Sequence, residues 1–363
     1  MTGTWAAPGR VNIIGEHTDY NGGLSLPIAI PQHVACTLTA RDDETVRVAS
    51  RQHGQDWIAV PLDRLADTDI AGWPRYPLGV VHQFLERGHT VGGMDLWLDG
   101  DVPAGAGLSS SAAVECAVAI AIRDTFAPTA SDAELIDITH RAENHFVGAP
   151  TGVLDQSAAI LCTAGHALFL DAATGAHVQV PFDLASAGLE VVVIDTGTPH
   201  DHATGEYATR RRQCEEAASQ LGVRSLSDIT DVGSVDALVD PVIRARARHV
   251  VTENARVRQI VDILQTGDPR SIGPILNRGH ASLRDDFAVS TPQLDAAVVC
   301  ACAAGAYGAR MTGGGFGGSA IALADAGSSG SIGHAVAQRF AAEHWSAPQV
   351  FVAVPSDGAR RLS

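Results

Sequence analysis

The sequence contains no lysine, so all 25 of its permanently basic side chains are arginines. A Walker loop, the strand lysine of protein kinases and the Schiff-base lysine of pyridoxal phosphate enzymes are therefore excluded. If the chain binds phosphate, then backbone N–H groups, hydroxyls, arginine and a metal ion must hold it.

Positive charge and long apolar runs are also scarce. The formal net charge of −16 argues against non-specific binding to nucleic acid or to an anionic membrane. No apolar run approaches the length of a membrane span and no export signal opens the sequence, which predicts a cytosolic protein. The six cysteines form no CxxC pair, so we expect them to be reduced and mostly buried.

The chain has 363 residues, of which 45% are hydrophobic and 18% charged. This composition is that of a globular protein, and the length favours about two domains. We place the boundary near residue 180, ahead of the buried strand predicted at 189–195, and expect the second half to be mostly helical.

A loop of small residues runs from Asp101 into an apolar segment that begins at Ala112. Gly105 and Gly107 allow the backbone to approach a ligand closely, and the serines at 109–111 supply hydroxyls. The first turn of the helix would direct its N–H groups and positive dipole end at an anion. The loop is either a phosphate cradle or an ordinary connection between a strand and a helix.

Glu16, His17 and Asp19 crowd two carboxylates and an imidazole into four positions. The segment that follows has the composition of a tight turn. The turn alone does not explain the crowding, because these groups compete unless they share a polyhydroxylated ligand, an ion or solvent. A sugar, whose hydroxyls need acceptors as well as donors, would suit them.

Two further carboxylates occupy notable positions. Ser131 and Glu134 form a capping box for a helix that should end at Gly148, so Glu143 lies near a C-terminus and opposes the helix dipole. A bound cation would compensate the unfavourable charge of Glu143. The alternative is that Glu143 is a solvated surface residue. Asp155 follows a Pro/Gly loop and, considered alone, would be a helix cap.

Three segments of the chain, 9–23, 105–112 and 312–318, resemble in order the three signatures of the GHMP small-molecule kinases. The first resembles the signature of the galactokinase family specifically. The resemblance covers nearly the whole chain, since 152–156, 206–216 and 282–286 are also similar to that family. The chain departs from the pattern in its short lead before Arg10 and in the unusual segment 199–202.

The resemblance implies an α+β fold of two domains with the active site in the cleft between them. Residues 1–180 would form an α/β domain like ribosomal protein S5 domain 2, and residues 181–363 a ferredoxin-like domain. It also implies transfer of phosphate from ATP to the C1 hydroxyl of α-D-galactose with Mg²⁺ as cofactor, by a monomer with no nucleic acid or membrane partner. The alternatives are a kinase of N-acetylgalactosamine or arabinose, or a non-catalytic regulator that binds sugar and ATP.

By the same resemblance, the catalytic residues are Asp155, beside the C1 hydroxyl, and Arg10. The implied sugar contacts are Glu16, His17, Asp19, Gly152 and Tyr207. The implied nucleotide contacts are Trp73, Tyr76, Gly105, Gly107, Leu108, Ser109, Ser110, Ser111, Gly314 and Gly315. The implied Mg²⁺ ligands are Ser111 and Glu143. From the sequence alone, Trp73 and Tyr76 are either core anchors or the wall of an adenine pocket.

Overall fold

The computed structural model describes residues 2–66, 69–103, 105–198 and 203–363, so the segment 199–202 lies outside the described residues. Its strands are β1 (Thr2–Asn12), β2 (Leu24–Ser25), β3 (Pro27–Ala40), β4 (Thr45–Ser50), β5 (Ile58–Pro61), β6 (Met94–Gly100), β7 (His166–Asp171), β8 (His177–Pro181), β9 (Leu189–Asp195), β10 (Gly308–Thr312), β11 (Ser319–Asp325), β12 (Gln349–Ala353) and β13 (Arg360–Arg361). Its α-helices are α1 (Arg75–Glu86), α2 (Ser110–Phe126), α3 (Asp132–Arg141), α4 (Leu154–Leu161), α5 (Ala203–Leu221), α6 (Pro241–Thr266), α7 (Gly273–Asp285), α8 (Pro292–Ala303) and α9 (Ser329–Ala342).

The N-terminal half is organised around a six-stranded sheet in the order β13-β1-β3-β6-β4-β5, with a three-stranded sheet β2-β7-β8 beside it. Helix α2 packs against β1 and β3, and every residue from 115 to 122 is buried. A helix that is buried this completely must be apolar on nearly all sides, and its many alanines let it lie close to the sheet. This packing fixes the N-terminus of α2 at the edge of the cavity described below.

The C-terminal half contains a four-stranded antiparallel sheet in the order β10-β11-β9-β12. Along the chain, β9 is followed by helices, then by the β10–β11 hairpin, then by α9 and β12. This is the β-α-β-β-α-β arrangement of a ferredoxin-like domain. The predicted α+β fold is confirmed, and the buried strand predicted at 189–195 is β9.

Local side-chain caps account for where several helices begin. Asp240 accepts hydrogen bonds at the start of α6, and Thr291 caps α8 through the N–H of Leu294. Ser131 caps α3, but after Arg141 the helix widens into a π-helix, Ala142–Val147, before Gly148 ends it with φ of 89°. π-Turns of this kind are rare and often occur at functional sites.

All six cysteines are free thiols, and four of them are buried, as the sequence predicted. Burial raises the pKa of the Cys36 thiol and of the Cys214 thiol, the latter to about 12, so neither is a reactive thiolate. Within the described residues, no helix is both long and apolar enough to cross a membrane.

Candidate active site

A cavity of about 430 Å³ lies where four loops meet: the turn after β1, the loop before α2, the loop before α4 and the glycine-rich loop after β10. Its lining includes every site residue predicted from the sequence except Trp73. The lining residues that the sequence reasoning did not assign are Asn12, Thr151, Leu154 and Gly313. Segments that are far apart in the chain therefore form one site.

Asp155 and Arg10 form an ion pair in the wall of this cavity. The Nε and Nη2 atoms of Arg10 lie 2.8 and 2.7 Å from Oδ1 of Asp155. The other carboxylate oxygen accepts the hydroxyl of Ser109 at 2.5 Å, and Nη1 of Arg10 donates to the Gly107 carbonyl at 2.6 Å. The carboxylate is thus held between strand β1 and the N-terminus of α2.

The loop before α2 has the geometry of an anion cradle. Ser109 is in the left-handed region with φ of 60°, and the first helical bond runs from the N–H of Ala113 to the Ser109 carbonyl at 3.0 Å. The N–H groups of the first turn have no acceptor within the helix, and they carry the positive end of its dipole. Gly105, Gly107, Leu108 and the serines at 109–111 line the cavity beside these donors.

Glu143 is buried by the π-helix and faces the cradle. Its Oε1 accepts the Ser111 hydroxyl at 2.9 Å, and its Oε2 accepts the Thr151 hydroxyl at 2.8 Å and the Gln156 amide at 2.7 Å. Burial, and next the charge of Asp155, raise the pKa of Glu143. The sequence alternative of a solvated surface glutamate is excluded, because only 4% of Glu143 is exposed.

Glu16 lies in the turn after β1, and its carboxylate contacts the C-terminal half of the chain. One oxygen accepts a hydrogen bond from Arg310, and the other accepts the N–H of Gly313 at 3.4 Å. Burial raises the pKa of Glu16 to about 7, although the Arg310 guanidinium acts in the opposite direction. The carboxylate is therefore shared between the cavity and the loop after β10.

Arg310 also binds Glu253 of α6, at 2.7 Å. The same Glu253 oxygen accepts the N–H of Gly15 at 3.0 Å, which ties the turn to α6. Burial alone would raise the pKa of Glu253, but Arg310 and Arg256 together hold it below its ordinary value. No local signal in the sequence indicates Glu253 or the pairing of Arg310, because both act across the fold.

His17 connects the same turn to the glycine-rich loop. Its Nδ1 lies 2.9 Å from the Tyr20 hydroxyl and its Nε2 lies 3.1 Å from the Gly314 carbonyl. Because a carbonyl can only accept, we assign the proton to Nε2, and the Tyr20 hydroxyl then donates to Nδ1. Burial, and next the neighbouring His249, lower the pKa of His17 to about 3, so the ring is neutral near pH 7.

Asp19 points into the cavity from the end of this turn. Its Oδ2 accepts the N–H of Leu154 at 3.3 Å, and a Cβ on Gly152 would lie only 1.9 Å from the same oxygen. Gly152 is therefore the residue that lets the Asp19 carboxylate reach this position. Burial, and next the charge of Asp155, raise the pKa of Asp19. Tyr207 lines the cavity nearby, with its ring centroid 5.2 Å from that of His17.

The two aromatic residues predicted near adenine differ in position. Tyr76 lines the cavity, whereas Trp73 does not and instead stacks on His53 with ring centroids 5.2 Å apart. The role of Trp73 in nucleotide binding stays a prediction. Of the residues missed by sequence reasoning, Asn12 lies inside the first motif, so its position there was the available signal.

Family models and individual relatives agree on what the chain resembles. The model of the galactokinase galactose-binding signature matches residues 2–39, that of the GHMP kinases N terminal domain matches 75–163, and that of the GHMP kinases C terminal domain matches 260–342. A galactokinase of Streptomyces coelicolor is 48% identical over an alignment of 365 positions, which covers 99% of this chain and 94% of that protein. A galactokinase of Mycobacterium tuberculosis is 42% identical over 90% of both chains.

Solved structures give the same result. A Lactococcus lactis galactokinase complexed with galactose has a TM-score of 0.95 and 31% identity, covering 99% of this chain and 95% of that chain. A mevalonate kinase of L. major has a TM-score of 0.66 and 20% identity, covering 99% of this chain and 97% of that chain. The second similarity supports the fold alone.

Proposed function

The chain belongs to the galactokinase family of the GHMP kinases, and we propose that it transfers the γ-phosphoryl group of ATP to the C1 hydroxyl of α-D-galactose. The observation that carries this proposal is the position of Asp155. Its carboxylate is held by Arg10 on one side and by Ser109, at the start of α2, on the other. A sugar hydroxyl beside Asp155 and a phosphate at the N-terminus of α2 would therefore be neighbours.

In this proposal Asp155 accepts the proton of the C1 hydroxyl or holds that hydroxyl by electrostatic attraction. A loose transition state for phosphoryl transfer develops little charge on the attacking oxygen, so positioning contributes more than early proton removal. Arg10 places a positive charge beside the reacting groups and offsets the negative charge of the transferring phosphoryl group. Asp19, with Gly152 making room for it, would accept hydroxyls of the sugar.

The side chains of Ser111 and Glu143 fit a hard divalent cation such as Mg²⁺. Ser111 donates its only hydroxyl hydrogen to Glu143, so the lone pairs of its Oγ remain available, and both residues offer oxygen ligands. In the described part of the chain, no three His, Cys, Asp or Glu side chains are grouped as a metal site. This agrees with Mg²⁺ bound mainly by nucleotide phosphates. When bound, it would neutralise phosphate charge during transfer.

Release of ADP by the purified protein tests the proposal directly. We expect turnover that requires both ATP and galactose, with a larger kcat/KM for galactose than for N-acetylgalactosamine or arabinose. Asp155→Asn keeps the size of the side chain and should reduce kcat about 100-fold or more. Binding of both ligands without ADP release would favour the regulator instead, and full activity of Asp155→Asn would disprove the role of Asp155.

We further propose that the boundary between the two domains lies near residue 180. The strands β1 to β8 end at Pro181 and build the first two sheets, whereas β9 begins the ferredoxin-like sheet at Leu189. The terminal strand β13 returns to pair with β1, so the end of the chain would complete the N-terminal domain. The monomeric state and the cytosolic location stay predictions.

A further inference from the structure

Asn12 is the least explained residue of the cavity wall. Only 1% of it is exposed, it lines the cavity, and among the described residues neither its Oδ1 nor its Nδ2 has a hydrogen-bond partner. Burying an unsatisfied amide is unfavourable, so a retained one needs an explanation. We propose that the Asn12 amide is a catalytic group that donates to an oxygen of the transferring phosphoryl group, an inference that rests on the proposed kinase function.

The position of Asn12 is fixed by its backbone. Its N–H donates to Oγ1 of Thr312 at 3.1 Å, and the Thr312 hydroxyl donates to the Asn12 carbonyl at 2.9 Å. Asn12 ends strand β1, in which alternate side chains share a face, so Asn12 and Arg10 line the cavity while Val11 lies in the core. The backbone of Asn12 is thereby fixed two residues from Arg10 on the same face of the strand, and among the described residues its amide has no hydrogen-bond partner.

The surroundings of Asn12 place it on the phosphate side of the cavity. The neighbouring Arg10 donates its backbone N–H to the Leu108 carbonyl and its Nη1 to the Gly107 carbonyl, both in the loop before α2. On the other side, a Cβ on Gly313 would lie 3.0 Å from the Gly107 carbonyl oxygen. The strand, the cradle and the glycine-rich loop therefore converge next to Asn12, whereas Asp19 lies further along the turn.

The charges of the site explain why a neutral donor is needed. Within the described residues, the lining contains one guanidinium, that of Arg10, and the four carboxylates of Glu16, Asp19, Glu143 and Asp155. Three of the Arg10 nitrogens already donate to Asp155 and Gly107. An amide adds a neutral donor for phosphate oxygen in a protein that has no lysine to supply one.

In the transfer step, a bond forms between the C1 oxygen and the γ-phosphorus while the bond from that phosphorus to the β,γ-bridging oxygen breaks. ADP leaves with the bridging oxygen, and the proton of the C1 hydroxyl passes to the Asp155 carboxylate. The negative charge stays spread over the three outer oxygens of the phosphoryl group. A donor aimed at one of these oxygens is most effective when it needs little reorganisation. The backbone of Asn12 is fixed by Thr312, and its amide has no competing partner among the described residues.

The test compares Asn12→Leu, which has nearly the same shape but no polar atoms, with wild-type protein. We expect kcat to fall about 100-fold, with KM for galactose and for ATP within about twofold of the wild-type values. The melting temperature should stay the same or rise, because an unsatisfied amide is removed. Asn12→Asp should lose at least as much activity, since it replaces the donor with a negative charge. If Asn12→Leu fails to fold, Asn12→Ala must show the same loss of kcat.

Thr125→Val is the matched control, because it removes another buried and unpartnered polar atom, at the far end of α2. This control should keep wild-type kcat and KM. Wild-type kcat in a folded Asn12→Leu protein would overturn the role of Asn12, and so would a rise in the galactose KM at unchanged kcat, which would place the amide on the sugar. Absence of galactose-dependent ADP release in the wild-type protein would instead overturn the proposed function and this inference together.

Discussion

Two centres in which arginine pairs with carboxylate each include a residue of the first sequence motif. They differ in their access to water. In the cavity pair, the side chains of Arg10 and Asp155 are 8% and 22% exposed. In the buried centre, the side chains of Arg310 and Glu253 are completely inaccessible and that of Glu16 is 2% exposed. The same chemical groups therefore occur once at a surface that a substrate can reach and once in the interior.

The difference indicates what each centre contributes. A pair at a cavity wall can exchange part of its hydrogen bonding for a ligand, so its charges remain available to chemistry. A fully buried pair has lost its hydration, and only its mutual contacts compensate for that cost. Glu16 and Arg310 are 294 positions apart in the chain. We therefore propose that the first centre serves catalysis and that the second joins the turn after β1 to the C-terminal half.

The largest effect should come from breaking the cavity pair at Arg10. Arg10→Met removes the only guanidinium that, among the described residues, lines the cavity. Arginines that stabilise phosphoryl transfer contribute about 10³-fold or more to kcat, equivalent to about 4 kcal/mol. The free energy of unfolding should fall less, by about 2 kcal/mol, because Asp155 keeps its bond to Ser109 and some contact with water. A coupled ADP assay measures the loss of kcat, and urea unfolding measures the loss of stability. A loss of stability that exceeds the catalytic loss in kcal/mol would contradict our assignment.

The next effect should come from breaking the buried centre. Arg310→Met leaves Glu16 and Glu253 buried without their shared partner, which should lower the free energy of unfolding by about 3–5 kcal/mol. The matched control is Arg339→Met, since Arg339 forms an exposed pair with Glu343 at 2.8 Å. Loss of that pair should cost less than about 1 kcal/mol. Equal losses in the two variants, measured by urea unfolding, would show that burial is not the source of the difference.

The third effect concerns pH and the neutral His17 beside the buried centre. Its pKa is lowered from 6.5 to about 3, so between these values the unfolded chain binds a proton that the folded chain does not. Stability is therefore lost as pH falls below 6.5, by about 2–3 kcal/mol at pH 4.5. His17→Asn tolerates the φ of 63° and should lack this loss. The raised pKa of Glu16 changes stability with pH in the opposite direction. The measurement is therefore the difference between the wild-type and the His17→Asn melting curves across this range.

The two centres also mark the limit of reasoning from sequence. Asp155, Arg10 and the serines of the cradle lie in or beside short motifs, and the caps at Asp240 and Thr291 depend on their immediate neighbours, so these features could be predicted. The buried centre could not, because Glu253 lies in an ordinary amphipathic stretch and meets Arg310, 57 positions away, only in the folded chain. The burial of Glu143 likewise depends on a π-helix for which the local sequence has no known signal. The nucleotide contact of Trp73 is implied by the family resemblance, whereas the stacking of its ring on His53 is a tertiary contact for which the sequence has no local signal.

The smallest effect should come from Gly152→Ala, which perturbs the cavity without touching either ion pair. The added Cβ would lie 1.9 Å from Oδ2 of Asp19, so the carboxylate must move away from its present position. If Asp19 binds sugar hydroxyls, the KM for galactose should rise about tenfold, or about 1.4 kcal/mol, with a smaller change in kcat. Gly330→Ala is the control, because a Cβ there meets no atom within 4 Å. A tenfold loss confined to kcat would place the disturbance at Asp155 rather than at Asp19, because the two carboxylates are close enough for their charges to interact.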